Sequence, residues 1–396
     1  MEQTLRVLEL YSGIGGMHYA LRESGMAAEV VAAVDVNTIA NDVYMHNFPC
    51  TPLWPKTIEG IMLEELNKLA FDMILMSPPC QPFTRIGLQG DMSDSRAKSF
   101  LYILDILPRL LRLPKYILLE NVKGFEASSA RDLLLQTLEN CGFKYQEFLL
   151  SPTCLGVPNS RLRYFLIAKL QPESFSFQTS SRILAEFPNP EGTGLHKHSV
   201  AMNLDKDFPS VPTKGTEMKD NPSTQYSGKG TFLFKLETPE EVERKKTQDN
   251  DFSIQTLQAF LEDDAEDVSQ YFLPPKSLLR YALLLDIVKP TSRRSTCFTK
   301  GYGHYVEGTG SVLQSAKDVE MESVFKSLET LSEEEKLRRL STLQLRYFSP
   351  REIAKLHGFP PEFSFPDKTT VKQRYRLLGN SLNVHIVAKL ITVLLS

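Results

Sequence analysis

The feature that most constrains the fold of this chain is a series of short apolar runs, separated by helix-like segments, in its first 170 residues. Four runs are typical of buried parallel strands because they are β-branched or leucine-rich and end in a small or polar residue. They lie at residues 6–11, 30–35, 71–77 and 116–122. Residues 17–24 and 131–140 between them have helical spacing. The alternation predicts an α/β fold with a doubly wound, mostly parallel sheet, which binds ligands at the carboxyl ends of its strands.

The rest of the chain predicts a smaller inserted unit, followed by a final segment that belongs to the first unit. Two more strands are expected at 145–150 and 163–169, followed at 171–235 by a stretch rich in Ser, Pro, Lys, Asn and Thr. Residues 253–260 look helical, and the glycine-rich residues 300–311 suggest β-hairpins. Helical signals return at Ser349, where Glu352 completes a capping box. The final segment, 380–395, is a strongly apolar helix.

Composition limits the partners of such a chain. Five cysteines, at positions 50, 80, 141, 154 and 297, are odd in number and lack zinc-type spacing, which favours free thiols in a reducing compartment and no metal. No apolar run approaches the ~20 residues that cross a bilayer, so no membrane is expected. The formal net charge of −3 argues against a general polyanion binder. Any basic surface is local, at Arg293-Arg294, 336–339 or 372–376, although each cluster also suits a solvated face.

The first predicted strand leads into a glycine-rich turn, Ser12-Gly13-Ile14-Gly15-Gly16, and then a helix. Asp35 ends the next strand about twenty residues later, where an acid accepts hydrogen bonds from ribose hydroxyls. The spacing is not GxGxxG, which disfavours a dinucleotide. A plain tight turn remains the alternative for the glycines alone.

The third strand ends in Ser-Pro-Pro-Cys-Gln-Pro-Phe-Thr at 77–84. Prolines stiffen the loop around Cys80, which would aim its thiol at the carboxyl edge of the sheet. Most free cysteines are small buried hydrophobes, but three prolines and a glutamine suit a core position poorly. The hypothesis is therefore a nucleophile at Cys80.

Two further polar groups fall at the same predicted edge. Glu120 ends the fourth strand, and Arg161 and Arg163 lead into a later strand with their side chains on one face. Two arginines so placed bind a phosphate or brace a carboxylate. Taken singly, such residues also serve as surface acids and surface ion pairs.

Together these motifs resemble the cytosine-5 methyltransferase family, over residues 5–170 and 345–396. The pattern is the glycine-rich turn, an acid after the second strand, Pro-Pro-Cys, Glu-Asn-Val, Arg-x-Arg and a terminal Gly379-Asn380-Ser381. The resemblance implies S-adenosyl-L-methionine as cofactor. The residues implied to bind it are Ile14, Gly15, Gly16, Asp35, Ile58, Glu59, Ser77 and Ser381. It also implies a catalytic domain at 1–185 and 338–396, and a target-recognition domain at 186–337 with a mobile loop near 186–235.

Within the family, the compact chain and the tripeptide Cys297-Phe298-Thr299 are most similar to the branch that methylates an anticodon-loop cytosine of tRNA-Asp. This implies a tRNA partner and a cytoplasmic, or also nuclear, location. The tripeptide, Arg293 and Arg294, with aromatics such as Tyr302, are the expected substrate contacts. Asn159-Ser160 departs from the Gln-Arg-like pair that is common in the family before Arg-x-Arg.

The implied chemistry is covalent. The Cys80 thiolate adds to ring carbon-6 of cytosine, so that carbon-5 becomes nucleophilic enough to take the methyl group. Glu120 would hydrogen-bond the ring nitrogen and exocyclic amine, Arg163 would orient Glu120 or the base, and Arg161 would bind the neighbouring phosphate. A DNA cytosine-5 methyltransferase shares all these residues and remains the alternative. A non-catalytic RNA-binding relative and a nicotinamide-dependent oxidoreductase fit less well.

Overall fold

The computed structural model describes residues 4–79, 98–188, 238–262, 268–305, 308–326 and 328–396. Seven strands form the main sheet: β1 (Leu5–Leu10), β2 (Ala28–Val34), β3 (Leu53–Trp54), β4 (Met73–Met76), β5 (Tyr116–Val122), β6 (Phe143–Leu150) and β7 (Arg163–Leu170). Their order is β3-β2-β1-β4-β5-β7-β6, and β7 alone runs antiparallel to its neighbours. The predicted mostly parallel α/β sheet is confirmed.

The reversed strand β7 matters for the site. Its first residue, Arg163, pairs with Val122 at the last position of β5, and Glu120 pairs with Phe165. An antiparallel strand begins where its parallel neighbour ends, so Arg163 lies at the carboxyl edge of the sheet, where the loops after β1, β2 and β4 also emerge.

Helices cover both faces of this sheet. The described helices around it are α1 (Gly16–Glu23), α2 (Thr38–Asn47), α3 (Leu63–Leu69), α4 (Lys98–Ile106) and α5 (Ser129–Asn140). Successive strand residues point to opposite faces: Val7 packs among the α1 and α2 side chains, and Leu8 among those of α3, α4 and α5. Both predicted helices in this half, at 17–24 and 131–140, are present as α1 and α5.

A second, three-stranded sheet lies in the later part of the chain, with strands β8 (Ile287–Val288), β9 (Val312–Gln314) and β10 (Leu345–Arg346) in the order β10-β9-β8. Its helices are α6 (Pro239–Asp249), α7 (Pro275–Tyr281), α8 (Met321–Phe325) and α9 (Glu333–Ser341). The expected helix at 253–260 is only a 3-10 turn at Leu257–Phe260. The hairpins expected at 300–311 are wrong, because the described residues there form turns.

The chain closes with α10 (Pro350–Leu356), α11 (Val371–Asn380) and α12 (Val384–Leu395). The predicted capping box holds: Ser349 Oγ accepts from the Glu352 amide at 3.1 Å, and the Glu352 carboxylate accepts from the Ser349 amide at 2.8 Å. Val371–Leu395 is long and apolar enough to cross a membrane by length and composition alone, contrary to the expectation that no run is. It is two helices separated at 381–383, and most of it is buried against α1 and the sheet.

The predicted division into a catalytic and a target-recognition domain stays a prediction. The mobile loop predicted near 186–235 lies outside the described residues, except for 186–188. Phe298, Tyr302 and Leu313, from the predicted inserted unit, join the same buried cluster as Val7 and Leu378 of the main sheet region.

Candidate active site

The turn after β1 has an unusual backbone. Tyr11, Gly13 and Gly15 all have positive φ, at 58°, 52° and 86°. Positive φ is strained for a tyrosine and occurs mainly at functional sites. The Gly13 amide donates to Asp35 Oδ2 at 2.8 Å, so the turn and the acid after β2 are held together as one unit.

Close packing explains the glycines that follow. A Cβ at Gly15 would overlap the Phe48 ring, and one at Gly16 would lie 3.2 Å from Ser381 Oγ and 3.1 Å from Leu382. The C-terminal segment therefore contacts the first turn directly. This places Ser381 beside Gly16, as the resemblance implies, while the Ile14 side chain is buried and anchors the turn.

Tyr11, directly before this turn, contacts Ser77 and Ser99 but belongs to none of the sequence motifs. Its carbonyl accepts from Ser77 Oγ at 3.2 Å, and its hydroxyl donates to Ser99 Oγ at 3.0 Å. Burial raises the pKa of the Tyr11 phenol, and the nearby charges of Glu59 and Asp35 raise it further. Three of the predicted cofactor residues, Ser77, Glu59 and Asp35, thus surround one strained tyrosine. An aromatic residue directly before the Ser-Gly turn was the available signal.

Ile58 departs from its expected place. Its side chain is 5% exposed and packs in the apolar cluster with Leu8 and Leu10 beneath the sheet edge. Glu59, the next residue, is exposed. A direct side-chain contact from Ile58 to an adenine does not follow from this arrangement, because the side chain already belongs to the core.

The predicted nucleophile, Cys80, lies outside the described residues. The segment leading to it is described: β4 ends at Met76, which pairs with Leu119 of β5, and Ser77, buried Pro78 and exposed Pro79 follow. Consecutive Cα atoms are about 3.8 Å apart. The last described residue of this segment, Pro79, therefore lies near the sheet edge that also carries Glu120.

Glu120 is 9% exposed, and Arg163 Nε lies 3.5 Å from its Oε1. Burial raises the pKa of Glu120 above its ordinary value, against the opposing charges of Arg163 and Arg161. A carboxyl with a raised pKa retains a proton closer to neutral pH, which suits a group that donates to a ring nitrogen. Arg163 therefore lies within reach of Glu120, and its predicted role of orienting Glu120 or the base stays a prediction.

Arg161 does not face outward. It is 3% exposed. Nη1 donates to the Phe298 carbonyl at 3.0 Å and lies 3.3 Å from Cys297 Sγ. Nη2 donates to the Gly379 carbonyl at 3.2 Å and to the Ser381 carbonyl. The predicted phosphate contact stays a prediction. In this structure the buried guanidinium binds these carbonyls and joins the tripeptide segment to the C-terminal segment.

The tripeptide at 297–299 lies in the same place. Burial raises the pKa of the Cys297 thiol, but the charges of Arg161 and Arg163 outweigh it, and the net pKa is below that of an ordinary cysteine. Phe298 is buried in the core, so its side chain is not a substrate contact. The Thr299 backbone passes so close to Gly379 that a Cβ there would overlap it.

The other predicted substrate contacts, Arg293, Arg294 and Tyr302, stay predictions, and each side chain also binds another group of this chain. Arg294 is 9% exposed and paired with Asp286 at 2.8 Å, while the Arg293 guanidinium donates to the Ile254 carbonyl. Tyr302 is buried, and its hydroxyl donates to the Ser311 carbonyl at 2.7 Å. These side chains stabilise the later part of the chain. Among the described residues, no group of three His, Cys, Asp or Glu side chains gathers as a metal site would.

Comparison with known proteins identifies the whole arrangement. The family model for "C-5 cytosine-specific DNA methylase" matches residues 5–396. The chain belongs to the C-5 cytosine methyltransferase family. The match also spans residues 171–344, which lie between the two stretches that carry the motifs.

Individual relatives of this C-5 cytosine methyltransferase cover it end to end. A Bos taurus protein named tRNA (cytosine(38)-C(5))-methyltransferase is 69% identical over 392 residues, 99% of each chain. A Dictyostelium discoideum DNA (cytosine-5)-methyltransferase is 40% identical over 399 residues, covering 100% of this chain and 95% of that one. The crystal structure of a DNMT2 triple mutant from Spodoptera frugiperda has 37% identity and a TM-score of 0.76, covering 99% and 100% of the two chains.

Proposed function

We propose that this methyltransferase uses S-adenosyl-L-methionine to methylate carbon-5 of a cytosine in the anticodon loop of a tRNA, with tRNA-Asp as the substrate. The observation that carries the proposal is the meeting of the Gly15 turn, Ser381, Glu120 and Arg163 at one edge of the sheet. The high identity to a relative named for tRNA cytosine-38 supports RNA as the substrate class.

The residues around the first turn suit an adenosyl group. The Asp35 carboxylate accepts one hydrogen bond on each oxygen, from Gly13 and Asn37, and each oxygen retains a lone pair for a ribose hydroxyl. Val36 beside it is 64% exposed and provides an apolar surface for a base. Ser12 Oγ is buried and has no hydrogen-bond partner among the described residues, which leaves a polar atom available at the turn.

When bound, S-adenosyl-L-methionine supplies an electrophilic methyl group. In the proposed reaction the Cys80 thiolate forms a bond to cytosine carbon-6, and the ring electrons move to carbon-5. Glu120, held by Arg163, donates a hydrogen bond to the ring nitrogen and stabilises the charge that develops there. After methyl transfer a base removes the carbon-5 proton, the electrons return to the ring and the bond from carbon-6 to the Cys80 sulfur breaks.

A cytosine must leave its stack to reach the Cys80 loop, and this costs less in a single-stranded loop than in a duplex. The acidic balance of the chain also favours a shaped substrate that needs few phosphate contacts. A tRNA substrate implies a cytoplasmic or nuclear location. The second candidate, methylation of duplex DNA, rests on the same catalytic groups and on the Dictyostelium relative.

Methyl transfer from labelled S-adenosyl-L-methionine to tRNA-Asp transcript and to duplex DNA, measured side by side, tests the proposal. We expect incorporation into tRNA that Cys80→Ala abolishes and that Cys50→Ala, at an exposed free cysteine, leaves unchanged. Robust DNA methylation with none on tRNA would reverse the choice of substrate. Full activity of Cys80→Ala would overturn the covalent mechanism.

A further inference from the structure

One aromatic side chain near the site remains outside the core. Tyr305 is 64% exposed, whereas Phe298 and Tyr302 on the same stretch are buried. The His304 ring meets Tyr305 edge-on, with centroids 4.7 Å apart. An aromatic ring left this open stands out because Tyr and Phe side chains bury most of their surface when they pack against a neighbour.

The backbone around Tyr305 holds the ring in place. The Tyr305 amide donates to the Gly301 carbonyl at 2.9 Å, and Thr309 Oγ1 donates to the Tyr305 carbonyl at 2.8 Å. A Cβ at Gly301 would lie 2.9 Å from Tyr305 Cδ2, so the ring rests against the bare glycine backbone. One side of the ring therefore rests on the protein and the rest is exposed to solvent, which is what a surface that stacks on a base requires.

This turn is attached to the catalytic groups. It starts at Thr299, two residues after Cys297, whose Sγ lies 3.7 Å from Arg163 Nη2. At its other end, Gly303 packs on the Tyr375 ring of α11, where a Cβ would come within 3.0 Å. Contacts on both sides thus set the position of Tyr305 relative to the edge that carries Arg163 and Glu120.

Three cations lie on the two segments that hold the exposed ring. Lys300 lies in the turn, and Lys372 and Arg376 lie one helical turn apart on α11, beside the face that packs against Gly303. All three side chains are exposed, and none of these side chains forms a hydrogen bond or ion pair with a described residue. Cations next to an open aromatic ring are the arrangement that binds unpaired nucleotides, with the ring under a base and the cations on phosphates.

We infer that Tyr305 stacks on an unpaired nucleobase next to the target cytosine, with Lys300 and Arg376 on the adjoining phosphates. The inference rests on the proposed function and specifies how its RNA substrate is held. It predicts preference for a looped strand, because bases in a duplex present no free face to the ring.

The test compares Tyr305→Leu, which keeps apolar bulk without a π-face, with Tyr305→Phe, which keeps the ring. With tRNA-Asp transcript we expect Tyr305→Leu to raise KM about tenfold with kcat unchanged, and Tyr305→Phe to stay near wild type. Transcripts with 2-aminopurine on either side of the target cytosine should show quenching on binding to wild type and Tyr305→Phe, and none with Tyr305→Leu.

Leu111→Ala, at a residue 88% exposed near the opposite edge of the sheet, is the surface control. If wild type methylates tRNA and Tyr305→Leu has the same KM and quenching, the stacking role is wrong while the proposed function stands. If wild type transfers no methyl to tRNA, the proposed function fails, and the quenching titration still decides whether Tyr305 contacts a base. An equal loss on duplex DNA would also overturn the inference.

Discussion

Arg161 makes bonds that a lysine cannot reproduce. One side of its planar guanidinium reaches the Cys297–Phe298 segment, and the other reaches the Gly379 and Ser381 carbonyls. A single ammonium spans only one of these pairs. We expect Arg161→Lys to lower the free energy of unfolding by about 2–4 kcal/mol and to weaken cofactor binding, because Ser381 loses its support. Denaturant unfolding and cofactor titration measure both effects. Arg109→Lys, in an exposed pair with Asp105, is the control and should change neither.

Glu9 predicts a pH dependence of stability. It is fully buried, accepts from the Tyr44 hydroxyl at 2.7 Å, and burial raises its pKa from 4.5 to about 8. Between these values the unfolded chain releases the Glu9 proton and the folded chain keeps it. The contribution of Glu9 to stability is therefore complete below about pH 4.5 and falls as pH rises, by up to about 1.4 kcal/mol per pH unit. Glu9→Gln cannot ionise, so its stability relative to wild type should increase from pH 5 to 8.

Unfolding free energies of wild type and Glu9→Gln across that range measure the effect. Glu65→Gln serves as a control without a pH trend in that range, because the hydrogen bond to Lys56 lowers the pKa of the Glu65 carboxyl, so that its contribution to stability changes only at lower pH. A difference between Glu9→Gln and wild type that stays constant with pH would show that Glu9 is ionised in the folded protein.

At the scale of elements, the contact between α11 and the turn after Thr299 depends on one missing side chain. A methyl group at Gly379 would overlap the Thr299 and Lys300 backbone. Backbone atoms cannot rotate out of the way as the end of a flexible side chain can, so α11 and the turn must move apart. We expect Gly379→Ala to lower the melting temperature and to remove most of the methyl transfer activity. Gly60→Ala is the control: the added methyl group would meet only Thr57 Oγ1, at 3.2 Å, so this variant should be nearly neutral. Wild-type activity in Gly379→Ala would refute this account.

Elements with a strong local period were predictable, and contacts made by tertiary packing were not. The runs that became β1, β5 and β7 are long and apolar, so period and flanking residues locate them, while two-residue β3 has too little sequence to show a period. The glycines at 300–311 suggested hairpins, but Gly303 and Gly310 are there to admit the Tyr375, Phe298 and Tyr302 rings. No local pattern carries that information.

The same limit applies to the site. Glu120 and Arg163 were predictable because both follow from where strands begin and end. Arg293 and Arg294 looked like a basic patch, since the acidic partners of Arg294, Asp249 and Asp286, and the Ile254 carbonyl that binds Arg293 do not stand out in the sequence. An aromatic residue before the Ser-Gly turn does not by itself indicate the role of Tyr11, because that role depends on a positive φ, which the residue type does not predict.

At the scale of the whole molecule, the later part of the chain shares its core with the main sheet. Phe298 packs edge-on against Phe348, and both lie in the buried cluster that contains Val7 of β1. Because neither part can unfold without exposing the other's core, we expect one cooperative unfolding transition. Far-UV circular dichroism and tryptophan fluorescence from Trp54, the single tryptophan, should give the same midpoint. Two separate midpoints would mean that the parts unfold independently.

The packing of α12 on α1 has a consequence for synthesis in the cell. Gly16 emerges from the ribosome long before its neighbours Ser381 and Leu382 are translated. At about 5–20 residues per second, the first strands wait roughly 20–70 s for the helix that covers them. During that interval the apolar face of α1 lacks its native cover, so ribosome-bound chains shortened before α12 should bind chaperones and be cut by protease, and release of the full-length chain should end both.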